Sequence, residues 1–454
     1  MRIMRRVFAA VAATLCLVLT ACVGSSTASP GEPATPRLGN SPQAVEAFRD
    51  MALGMFIHWG VDAQLGSVIS HSLVGASEDY RRRFFAELPR TFNPRDYDPG
   101  RLAELARVCG VKYVVPTAKH HSGFCLFPTD TTPFQVANTR YGKDLIGPLA
   151  AAVRREGLAL GLYFSPEDFW FLDRQGKLIA RRQPHALPTN NPELLEHVQE
   201  QVRELSTRYH PVDVWFFDGR DDPVELKQMV WAANPRAVVT RGEMKTPEQR
   251  LPGELMTEPW EACFTLGTQW QFKPTNESYK SGTELIDMLI ETRAKGGNLL
   301  LNVGPSPEGR VPFEQERLLR ELGLWLFLNG EAIYRVRPWV VAREGDLWFT
   351  CNRDDDALYV FLTGIADWKR GQRREFVIRS ARRTDRSEIS VLGQNDRVVE
   401  YQPKALPTSR MTQRADGLHL SVVRAQRIYN DSRWPNPVVV KLTGVEPVRQ
   451  TPDR

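Results

Sequence analysis

The segment VDVWFFDG (212–219) carries the pattern that decides the fold: an apolar run that breaks at one carboxylate, Asp218, followed by glycine. Four apolar residues directly precede Asp218, which is typical of a strand buried on both faces of a parallel sheet. GMFIHWG (54–60) and KYVVPTAKHHSG (112–123) have the same design, because each apolar run ends in ionisable side chains. In a parallel α/β barrel, reactive side chains come from the C-terminal ends of several strands. These three segments therefore predict one pocket built from distant parts of the chain.

Strand-like and helix-like segments alternate from residue 41 to residue 337. Further apolar runs, with the length of buried strands, lie at 158–165, 237–241 and 297–304. Helical patterns lie between the runs or after them, at 101–109, 145–157, 191–209, 282–296 and 312–330. The repeat predicts an α/β fold with a (β/α)8-like barrel over 41–337. The alternative is an open doubly wound sheet, whose first strand usually ends in a Gly-rich phosphate loop, whereas this one ends in HWG.

The pattern changes after residue 338. Short, mostly alternating runs separated by polar turns lie at 346–352, 357–364, 375–380, 388–393, 418–423 and 438–444. They predict a C-terminal all-β sandwich over 338–454. The basic stretch KRGQRREFVIRSARRTDR (369–386) is interpreted as solvated strands and turns, because acidic residues interrupt it.

The first 21 residues have the pattern of a secretory signal peptide, with arginines followed by the apolar run VFAAVAATLCLVLTA (7–21). LTAC (19–22) resembles the lipobox of bacterial lipoproteins, which implies that Cys22 becomes the lipidated first residue. Residues 22–40 are then a flexible tether rich in Gly, Ser, Thr and Pro. A plain signal peptide cut near Ala21, or an uncleaved anchor, is the alternative. We expect an exported, lipid-anchored protein of the cell envelope, periplasmic or at the cell surface, that meets the membrane only through its N-terminus.

Composition excludes several classes of function. The net charge is +5, and the leader arginines Arg2, Arg5 and Arg6 supply three of these charges, so no nucleic-acid partner is expected. The four cysteines beyond the leader region form no CxxC and no zinc-type spacing with histidine, so neither a metal nor another cofactor is expected. The cysteines stand among apolar neighbours, as small buried thiols do, and the sequence leaves their pairing open: Cys109, Cys125, Cys263 and Cys351.

The ionisable strand ends allow more than one chemistry. Asp218 could either face the barrel mouth as a catalytic group or cap the following turn. His120 and His121 are adjacent and point to opposite sides of an extended segment, so one could serve the structure and the other a ligand. The absence of HxH and HExxH spacings disfavours a metal site. Trp59, next to His58, is expected to offer an apolar face to a sugar ring.

Five segments in order resemble one known family: GMFIHWG, KYVVPTAKHHSGFCLFPT (112–129), GLYFSPEDFW (161–170), VWFFDG and GGNLLLNVGPSPEGRVP (296–312). They are similar to the motif series of the α-L-fucosidases of glycoside hydrolase family 29. The resemblance implies a (β/α)8-like barrel, a β-sandwich, no metal, and release of terminal α-L-fucose with retention of configuration. The expected partner is a fucosylated oligosaccharide or glycoconjugate. The oligomeric state is left open.

The resemblance also assigns roles to single residues. Asp218 matches the family's nucleophile at the end of its W-x-D-G strand. Three residues match the histidines that hold the fucose hydroxyl groups: His58, His120 and His121. Five further residues are expected to bind the substrate: Trp59, Trp215, Phe216, Arg241 and Trp260.

The acid/base is the least certain of these assignments. EPWEACFTLGTQW (258–270) resembles the family's W-E segment, which makes Glu261 the first candidate. Retention requires two carboxyl groups about 5–5.5 Å apart, one ionised and one protonated. Trp260 could raise the pKa of Glu261 by desolvation, although a Glu in a polar surface loop is the alternative. The other candidates are Glu258, Glu243 and Glu78.

The sequence departs from the family pattern at several positions. Phe216 stands where the family has Trp two residues before the nucleophile, and Ser122 stands where it often has Asp. The segment QLGSVISHSLVGASEDYRRRFF (64–85) differs from the usual loop after the first motif. Two alternatives therefore stay open: a catalytically altered fucose-binding protein, and a retaining glycosidase for another sugar on the same barrel.

Overall fold

The structure is a computed structural model that describes residues 39–221, 223–352, 354–426 and 436–448. The predicted signal peptide, Cys22 and nearly all of the predicted tether lie outside these residues. Within the described part of the chain, no helix is both long enough and apolar enough to cross a bilayer. From Leu38 onward the chain forms one compact unit, so the predicted boundary at 337/338 stays a prediction.

Seven parallel strands form the first sheet, in the order β5–β4–β3–β2–β1–β7–β6. They are β1 Leu53–Ile57, β2 Tyr113–Lys119, β3 Ala159–Phe164, β4 Val214–Phe217, β5 Val238–Val239, β6 Glu261–Thr265 and β7 Asn298–Val303. In the register of the sheet, Met55 aligns with Val114 on one side and with Leu301 on the other. The predicted barrel-type α/β fold is confirmed. Strand β6 was not predicted as a strand.

An irregular segment, residues 245–249, lies beside β6. The amide of Glu261 donates to the carbonyl of Lys245 at 3.1 Å, and the amide of Cys263 donates to the carbonyl of Pro247 at 3.1 Å. Gln249 returns a bond to the carbonyl of Cys263 at 3.0 Å. This segment, which follows β5 in the chain, therefore pairs with β6, the strand at the opposite edge of the sheet.

Helices surround the sheet: α1 Pro42–Met51, α2 Glu78–Ala86, α3 Leu88–Thr91, α4 Pro99–Val108, α5 Ile146–Arg155, α6 Phe169–Arg174, α7 Pro192–Arg208, α8 Val224–Ala233, α9 Gly282–Ala294 and α10 Phe313–Asn329. Several start as their sequences predict, with Pro at the first turn and a polar cap. Asp98 and Asn191 accept amide hydrogens at the starts of α4 and α7. Ser281 and Glu284 form a capping box at the start of α9.

Side chains alternate between the two sides of each barrel strand, as the period of two requires. One set points into the barrel and forms a buried aromatic cluster with Phe56, Tyr163 and Phe216. The other set packs against the helices in the larger core, which contains Trp215 and Phe217 of the same strand β4. This alternation decides which of the predicted site residues can reach a pocket at the barrel mouth.

Two antiparallel sheets follow the barrel. Their strands are β8 Arg337–Glu344, β9 Leu347–Asn352, β10 Ala357–Leu362, β11 Arg373–Ile378, β12 Ala381–Val391, β13 Arg410–Arg414, β14 Gly417–Val423 and β15 Val438–Pro447. The orders are β12–β15–β10–β9–β8 and β11–β14–β13. Val360 and Leu442 of the first sheet and Leu420 of the second share one buried apolar cluster. The predicted sandwich-like all-β region is confirmed.

Candidate active site

Asp218 lies directly after strand β4, at the C-terminal edge of the parallel sheet. Its backbone amide donates to the carbonyl of Phe164 at 3.0 Å, which fixes it beside the end of β3. Its carboxylate accepts from Arg241 Nη1 at 2.7 Å through Oδ1 and from Tyr163 Oη at 2.8 Å through Oδ2. His121 Nε2 lies 3.5 Å from Oδ2. The carboxylate is thus held by two hydrogen-bond donors, with the ring of His121 beside it.

These neighbours determine the charge of Asp218. Burial alone would raise its pKa, but His121 in its protonated form, the charges of Arg241 and Arg181 and the hydrogen bond from Tyr163 outweigh that effect and hold the pKa well below its ordinary value. The group is therefore a partly buried, ionised carboxylate at neutral pH. An ionised carboxylate that is fixed in position and partly desolvated is what a nucleophile requires.

His58 follows strand β1 and turns its ring into the same space. Its Nδ1 lies 2.6 Å from Oδ1 of Asn302, while Nδ2 of Asn302 donates to the carbonyl of Trp270 at 2.5 Å. Because Oδ1 of Asn302 is then an acceptor, Nδ1 of His58 carries the hydrogen and Nε2 is left as an acceptor. Burial lowers the pKa of His58 to about 4, so the ring is neutral at pH 7.

His120 and His121 follow strand β2 and present opposite hydrogen-bonding character. Nδ1 of His120 accepts the amide of His121 at 2.9 Å, so its Nε2 carries a hydrogen and can donate. Ser165 donates to the carbonyl of Glu167, so Nδ1 of His121 donates to Ser165 Oγ at 2.6 Å. The lone pair of Nε2 of His121 then faces Asp218 and has no donor within the described residues. Burial lowers the pKa of both rings.

The three neutral rings form a pattern of two acceptors and one donor. A sugar hydroxyl both donates and accepts a hydrogen bond, so it is complementary to such a mixed pattern. The unpaired acceptor of His121 beside the acceptor oxygen of Asp218 is unfavourable without a donor near both atoms. A hydroxyl group in the pocket could supply that donor.

Aromatic rings complete the pocket. Tyr163 stacks on His120 with ring centroids 5.0 Å apart and planes 7° apart. Phe216 lies beneath the guanidinium of Arg241, at 4.7 Å from its ring centroid. Trp270 is half-buried and packs on His58 at 4.9 Å, so it offers the apolar face that a sugar ring needs.

Three predicted substrate-binding tryptophans do not reach the pocket. Trp59, Trp215 and Trp260 all belong to the core on the helix side of the sheet. The indole of Trp59 donates to the carbonyl of Ser306, and that of Trp260 donates to the carbonyl of Lys295. Each tryptophan is next in sequence to a residue that points into the barrel, so the alternation of strand side chains turns it away. The predicted sugar contacts of these three residues are corrected accordingly.

Glu261 lies at the wrong end of the barrel for the acid/base role. It is the first residue of β6, is fully buried, and accepts from Tyr113 Oη at 2.5 Å, where Tyr113 is the first residue of β2. Asp218 follows the last residue of β4. In a parallel sheet the strand starts and strand ends lie on opposite edges, so the structure does not bring Glu261 and Asp218 together. Burial raises the pKa of Glu261 to about 7 at this closed end.

The other predicted acid/base candidates are bound elsewhere or open to solvent. The side chain of Glu258 is 74% exposed and lies 3.9 Å from Lys245. Glu243 accepts from Lys227 Nζ at 2.5 Å. Glu78 is an exposed residue in the first turn of α2. None of the three makes a hydrogen bond to Asp218 or Arg241 among the described residues.

A carboxylate that was not predicted, Glu248, connects to Asp218 through Arg241. The guanidinium donates to Asp218 through Nη1 and lies 3.3 Å from Oε2 of Glu248 through Nη2. The side chain of Glu248 is 45% exposed, so it reaches the open mouth of the pocket. The segment 245–249 fixes it, because Glu248 pairs with Cys263 of β6.

A second ion pair, also not predicted, stands near Asp218. Arg181 Nε donates to Glu167 at 2.7 Å, and the amide of Arg220 donates to the same carboxylate at 3.2 Å. Glu167 is fully buried, whereas Arg181 is partly exposed. Arg181 lowers the pKa of Asp218, although less than His121 and Arg241 do.

The ring nitrogen or carboxylate oxygen atoms with which His120, His121 and Asp218 could bind a metal ion lie within 4.8 Å of one another. In the structure the Asp218 carboxylate instead accepts from Arg241 and Tyr163. The expectation that no metal is needed stays a prediction.

Comparison with known proteins decides the family. Residues 19–331 match the sequence profile described as alpha-L-fucosidase. This chain belongs to the α-L-fucosidase family. The alpha-L-fucosidase of Branchiostoma floridae is 30% identical over 369 residues, which cover 71% of this chain and 78% of the relative. The tissue alpha-L-fucosidase of Rattus norvegicus is 30% identical over 69% of this chain and 74% of the relative.

Solved fucosidase structures share the fold. Alpha-L-fucosidase isoenzyme 1 from Paenibacillus thiaminolyticus superposes with a TM-score of 0.66 at 28% identity, over 88% of this chain and 98% of that chain. The alpha-fucosidase of Thermotoga maritima superposes with a TM-score of 0.67 at 25% identity, over 87% and 96%. The chain is thus a glycoside hydrolase by family, with the barrel and β region of its structural relatives.

Several residues of this fucosidase-family pocket were missed in the sequence. Tyr163 could have been found, because it lies at the end of the strand-like run GLYFS and alternates with Ser165. Asn302 has the same signal in GNLLLNVG. Trp270 and Glu248 have no periodic pattern around them, so only the fold reveals their positions.

Proposed function

We propose that the protein is a retaining exo-glycosidase that releases terminal α-L-fucose from oligosaccharides or glycoconjugates. The observation that carries the proposal is the pair of carboxylates on one guanidinium, with Asp218 partly buried and ionised and the side chain of Glu248 45% exposed. Membership of the α-L-fucosidase family supports fucose as the sugar.

Asp218 acts as the nucleophile. It attacks the anomeric carbon and forms a covalent glycosyl-enzyme, while the bond to the leaving oxygen breaks. A water molecule then attacks the same carbon, and the sugar leaves with its original configuration. Tyr163 and Arg241 hold the two oxygens of the carboxylate, so Asp218 needs little reorganisation before attack.

Glu248 acts as the acid/base. Its protonated form gives its hydrogen to the leaving oxygen, and its ionised form later takes a hydrogen from the attacking water. Two observations favour Glu248 over the other carboxylates. Its side chain is 45% exposed and so is open to a group that enters from solvent, and Arg241 contacts both Glu248 and Asp218. Glu261 lies at the other end of the barrel, and both oxygens of Glu167 already bind donors.

The neutral histidines hold the hydroxyl groups of the sugar. His58 and His121 provide acceptors and His120 provides a donor, while Trp270 packs against the apolar side of the ring. A binding protein without catalysis would need the same contacts but not an ionised carboxylate with an acid/base partner. A glycosidase for another sugar would keep both carboxylates and change the hydroxyl contacts.

Turnover of aryl glycosides tests the proposal. We expect hydrolysis of an aryl α-L-fucoside and little or none of the corresponding galactoside, glucoside, xyloside and mannoside. Absence of turnover on every glycoside would support a binding protein, and preference for another sugar would support the other glycosidase.

The role of Asp218 has its own test. Asp218→Gly should lower kcat on the aryl fucoside by on the order of 10⁴-fold, because no covalent intermediate can form. Sodium azide should restore part of the rate and yield fucosyl azide, since a small anion can occupy the space of the missing carboxylate. Full activity of Asp218→Gly without azide would refute the mechanism.

We propose that the protein is exported and anchored through a lipid on Cys22. The leader arginines, the apolar run 7–21 and the LTAC segment support this proposal. Expression with a radioactive fatty acid should label the protein, and Cys22→Ser should abolish the label and release activity from the membrane fraction. An unlabelled wild-type protein would contradict the anchor without affecting the proposed catalysis.

A further inference from the structure

One ion pair at the edge of the sugar pocket takes no part in the proposed catalytic steps. Glu167 lies in the turn after β3, and Arg181 lies in the connection 175–191 between α6 and α7. The Glu167 carboxylate accepts from Arg181 Nε at 2.7 Å and from Arg181 Nη2 at 3.4 Å. The side chain of Glu167 is fully buried, whereas that of Arg181 is 16% exposed. The pair therefore fixes the connection 175–191 to the C-terminal edge of the barrel sheet.

Glu167 also holds the turn that follows the nucleophile. The amide of Arg220, two residues after Asp218, donates to Oε1 of Glu167 at 3.2 Å. The amide of Asp218 itself donates to the carbonyl of Phe164 at 3.0 Å. The turns after β3 and β4 are thus joined at two points, and one of these points is the carboxylate that Arg181 binds.

The backbone of Glu167 is connected to His121. Ser165 Oγ donates to the carbonyl of Glu167 at 3.0 Å, and Nδ1 of His121 lies 2.6 Å from the same Oγ. The position of Glu167 therefore sets the direction of the Ser165 hydroxyl and, through it, the tautomer of His121. Nε2 of His121 lies 3.5 Å from Oδ2 of Asp218. Contacts of Glu167 thus lead to the nucleophile by two routes.

A second attachment holds the same connection. The amide and the hydroxyl of Thr189 both donate to Oδ2 of Asp221, at 3.0 and 2.8 Å. Asp221 belongs to the turn after β4, as Arg220 does. The connection 175–191 is therefore attached to the turn of the nucleophile twice, once through Glu167 and once directly.

Arg181 also adds a positive charge near the pocket. Asp218 is faced by the ring of His121, the guanidinium of Arg241 and the hydroxyl of Tyr163, and Arg181 acts on it in addition and lowers its pKa. Burial and the nearby carboxylate of Asp218 raise the pKa of Glu167, which the contact with Arg181 opposes. One guanidinium therefore compensates two carboxylates, although it makes hydrogen bonds to Glu167 alone.

We propose that Arg181 is a positioning residue of the glycosidase, which fixes, through Glu167, the turn after Asp218 and the hydrogen-bonding direction of His121. Glu167 is then the link in this arrangement and not an acid, because both of its oxygens hold donors. This role rests on the proposed function, since the groups that are positioned are its nucleophile and one of its sugar ligands.

Steady-state kinetics on an aryl α-L-fucoside test the role. Arg181→Met should lower kcat by about 10–10²-fold with little change in KM, because a small displacement of the nucleophile has an effect of this size. The acidic limb of kcat/KM should move to higher pH, since loss of the positive charge raises the pKa of Asp218.

Arg181→Lys separates charge from geometry. It keeps the positive charge, so the acidic limb should stay near that of the wild type. An ammonium cannot bind a carboxylate through a planar fork, so kcat should recover only in part. If Arg181→Met does not fold, Arg181→Lys carries the kinetic test. Arg182→Met is the matched control, because Arg182 is an exposed neighbour without a hydrogen bond or ion pair among the described residues.

Hydrogen exchange followed by mass spectrometry gives a readout that needs no turnover. Peptides that cover 164–168 and 218–221 should exchange faster in Arg181→Met than in the wild type, because the bond from the Arg220 amide loses its support. In Arg182→Met both peptides should exchange at the wild-type rate.

Several results would overturn the inference. Wild-type kcat and an unmoved acidic limb in Arg181→Met would do so, and so would a rise in KM alone, which would make Arg181 a substrate contact. Rescue of Glu167→Gly by azide with formation of α-fucosyl azide would identify Glu167 as the acid/base. Unchanged hydrogen exchange in Arg181→Met would refute the link through Glu167. A wild type that hydrolyses no glycoside, together with faster exchange in Arg181→Met, would refute only the proposed function.

Discussion

At the scale of single residues, Arg241 connects the two proposed catalytic carboxylates, Asp218 and Glu248. It lies 2.7 Å from Asp218 and 3.3 Å from Glu248, and its plane covers Phe216. One guanidinium thus lowers the pKa of the nucleophile and orients the acid/base. Loss of this side chain should change the ionisation of the site as well as its geometry.

Arg241→Met should move the acidic limb of the kcat/KM profile to higher pH. The nucleophile has to be ionised, and kcat/KM falls as the pH drops through its pKa. Removal of the positive charge raises that pKa, so activity is lost at a higher pH than in the wild type. Arg101→Met, an exposed helix residue, should leave the limb in place. An unmoved limb in Arg241→Met would show that Arg241 does not set the ionisation of Asp218.

Glu248→Gln and Glu261→Gln should differ in activity. On a fucosyl disaccharide, Glu248→Gln should lose about 10²–10⁴-fold in kcat/KM, because the poor leaving group needs its proton. The loss on an aryl fucoside with an acidic phenol should be much smaller. Glu261→Gln should stay within a few-fold of the wild type on both substrates. The opposite order would return the acid/base role to Glu261.

Glu261→Gln should also change the dependence of stability on pH. The pKa of Glu261 is raised from 4.5 to about 7 in the fold, so the native state favours the protonated form. In the wild type, the contribution of this group to the free energy of unfolding is largest below pH 4.5. It decreases by on the order of 3 kcal/mol between pH 4.5 and about pH 7. Urea unfolding of Glu261→Gln at pH 5 and pH 8 should lack that loss.

The sequence could predict the residues that end apolar runs. Asp218, His58, His120 and His121 stand at strand ends, and in a parallel sheet all strand ends meet at one edge. Glu248 could not be predicted in this way, because it lies in an irregular segment whose place depends on pairing with β6. That pairing joins residues that are not neighbours in sequence, and residues 243–258 show no periodic pattern from which it could be predicted.

At the scale of elements, one strand is missing from the predicted set. EACFT (261–265) is short and is preceded by Pro259 and Trp260, and the sequence analysis assigns no strand to it. It forms the edge strand β6, which places its first residue at the closed end of the barrel. Boundaries of the longer helices were predicted within a few residues, because caps and apolar periodicity agree there.

A buried ion pair connects β2 to the helices. Lys119 Nζ lies 3.1 Å from Asp168, which caps α6, and His197 of α7 lies 3.3 Å from the same carboxylate. Both Lys119 and Asp168 are fully buried. Such a pair adds little net stability over apolar residues, but the loss of one partner leaves an unpaired charge.

Lys119→Met should therefore lower the free energy of unfolding by about 3–5 kcal/mol. Urea unfolding followed by circular dichroism measures the change. The double variant Lys119→Met with Asp168→Leu should recover part of the loss, because no charge is then left buried. A loss in the double variant equal to the sum of the two single losses would show that the pair does not act as a unit.

At the scale of the whole molecule, α10 connects the barrel to the β region. The indole of Trp325 donates to the carbonyl of Pro437 at 2.8 Å, and its ring lies 6.3 Å from Phe361 of β10. Trp325 is fully buried at this contact. The order of barrel and sandwich could be predicted from the sequence, but this contact could not, because it joins residues more than a hundred positions apart.

Trp325→Ala should lower the free energy of unfolding by about 3–5 kcal/mol, through lost burial and the cavity left behind. Activity of the folded protein at room temperature should be unchanged, since the contact is remote from the pocket. Phe327→Ala on the same helix is the control: it is 86% exposed and should change stability by no more than about 0.5 kcal/mol. A similar loss of unfolding free energy in both variants would show that the substitutions destabilise helix α10 itself and not its contact with the β region.

The two proposed catalytic carboxylates are positioned by different kinds of backbone structure. Asp218 directly follows a regular strand, whereas Glu248 belongs to the irregular segment 245–249, whose backbone pairs with β6. Within the described residues, no side chain of that segment makes a hydrogen bond to His58, His120 or His121, whereas Thr246 and Glu248 both contact Arg241, the partner of Asp218. Substitutions in the segment can therefore change the preference for the leaving group and the environment of the nucleophile while the histidines that hold the sugar stay in place.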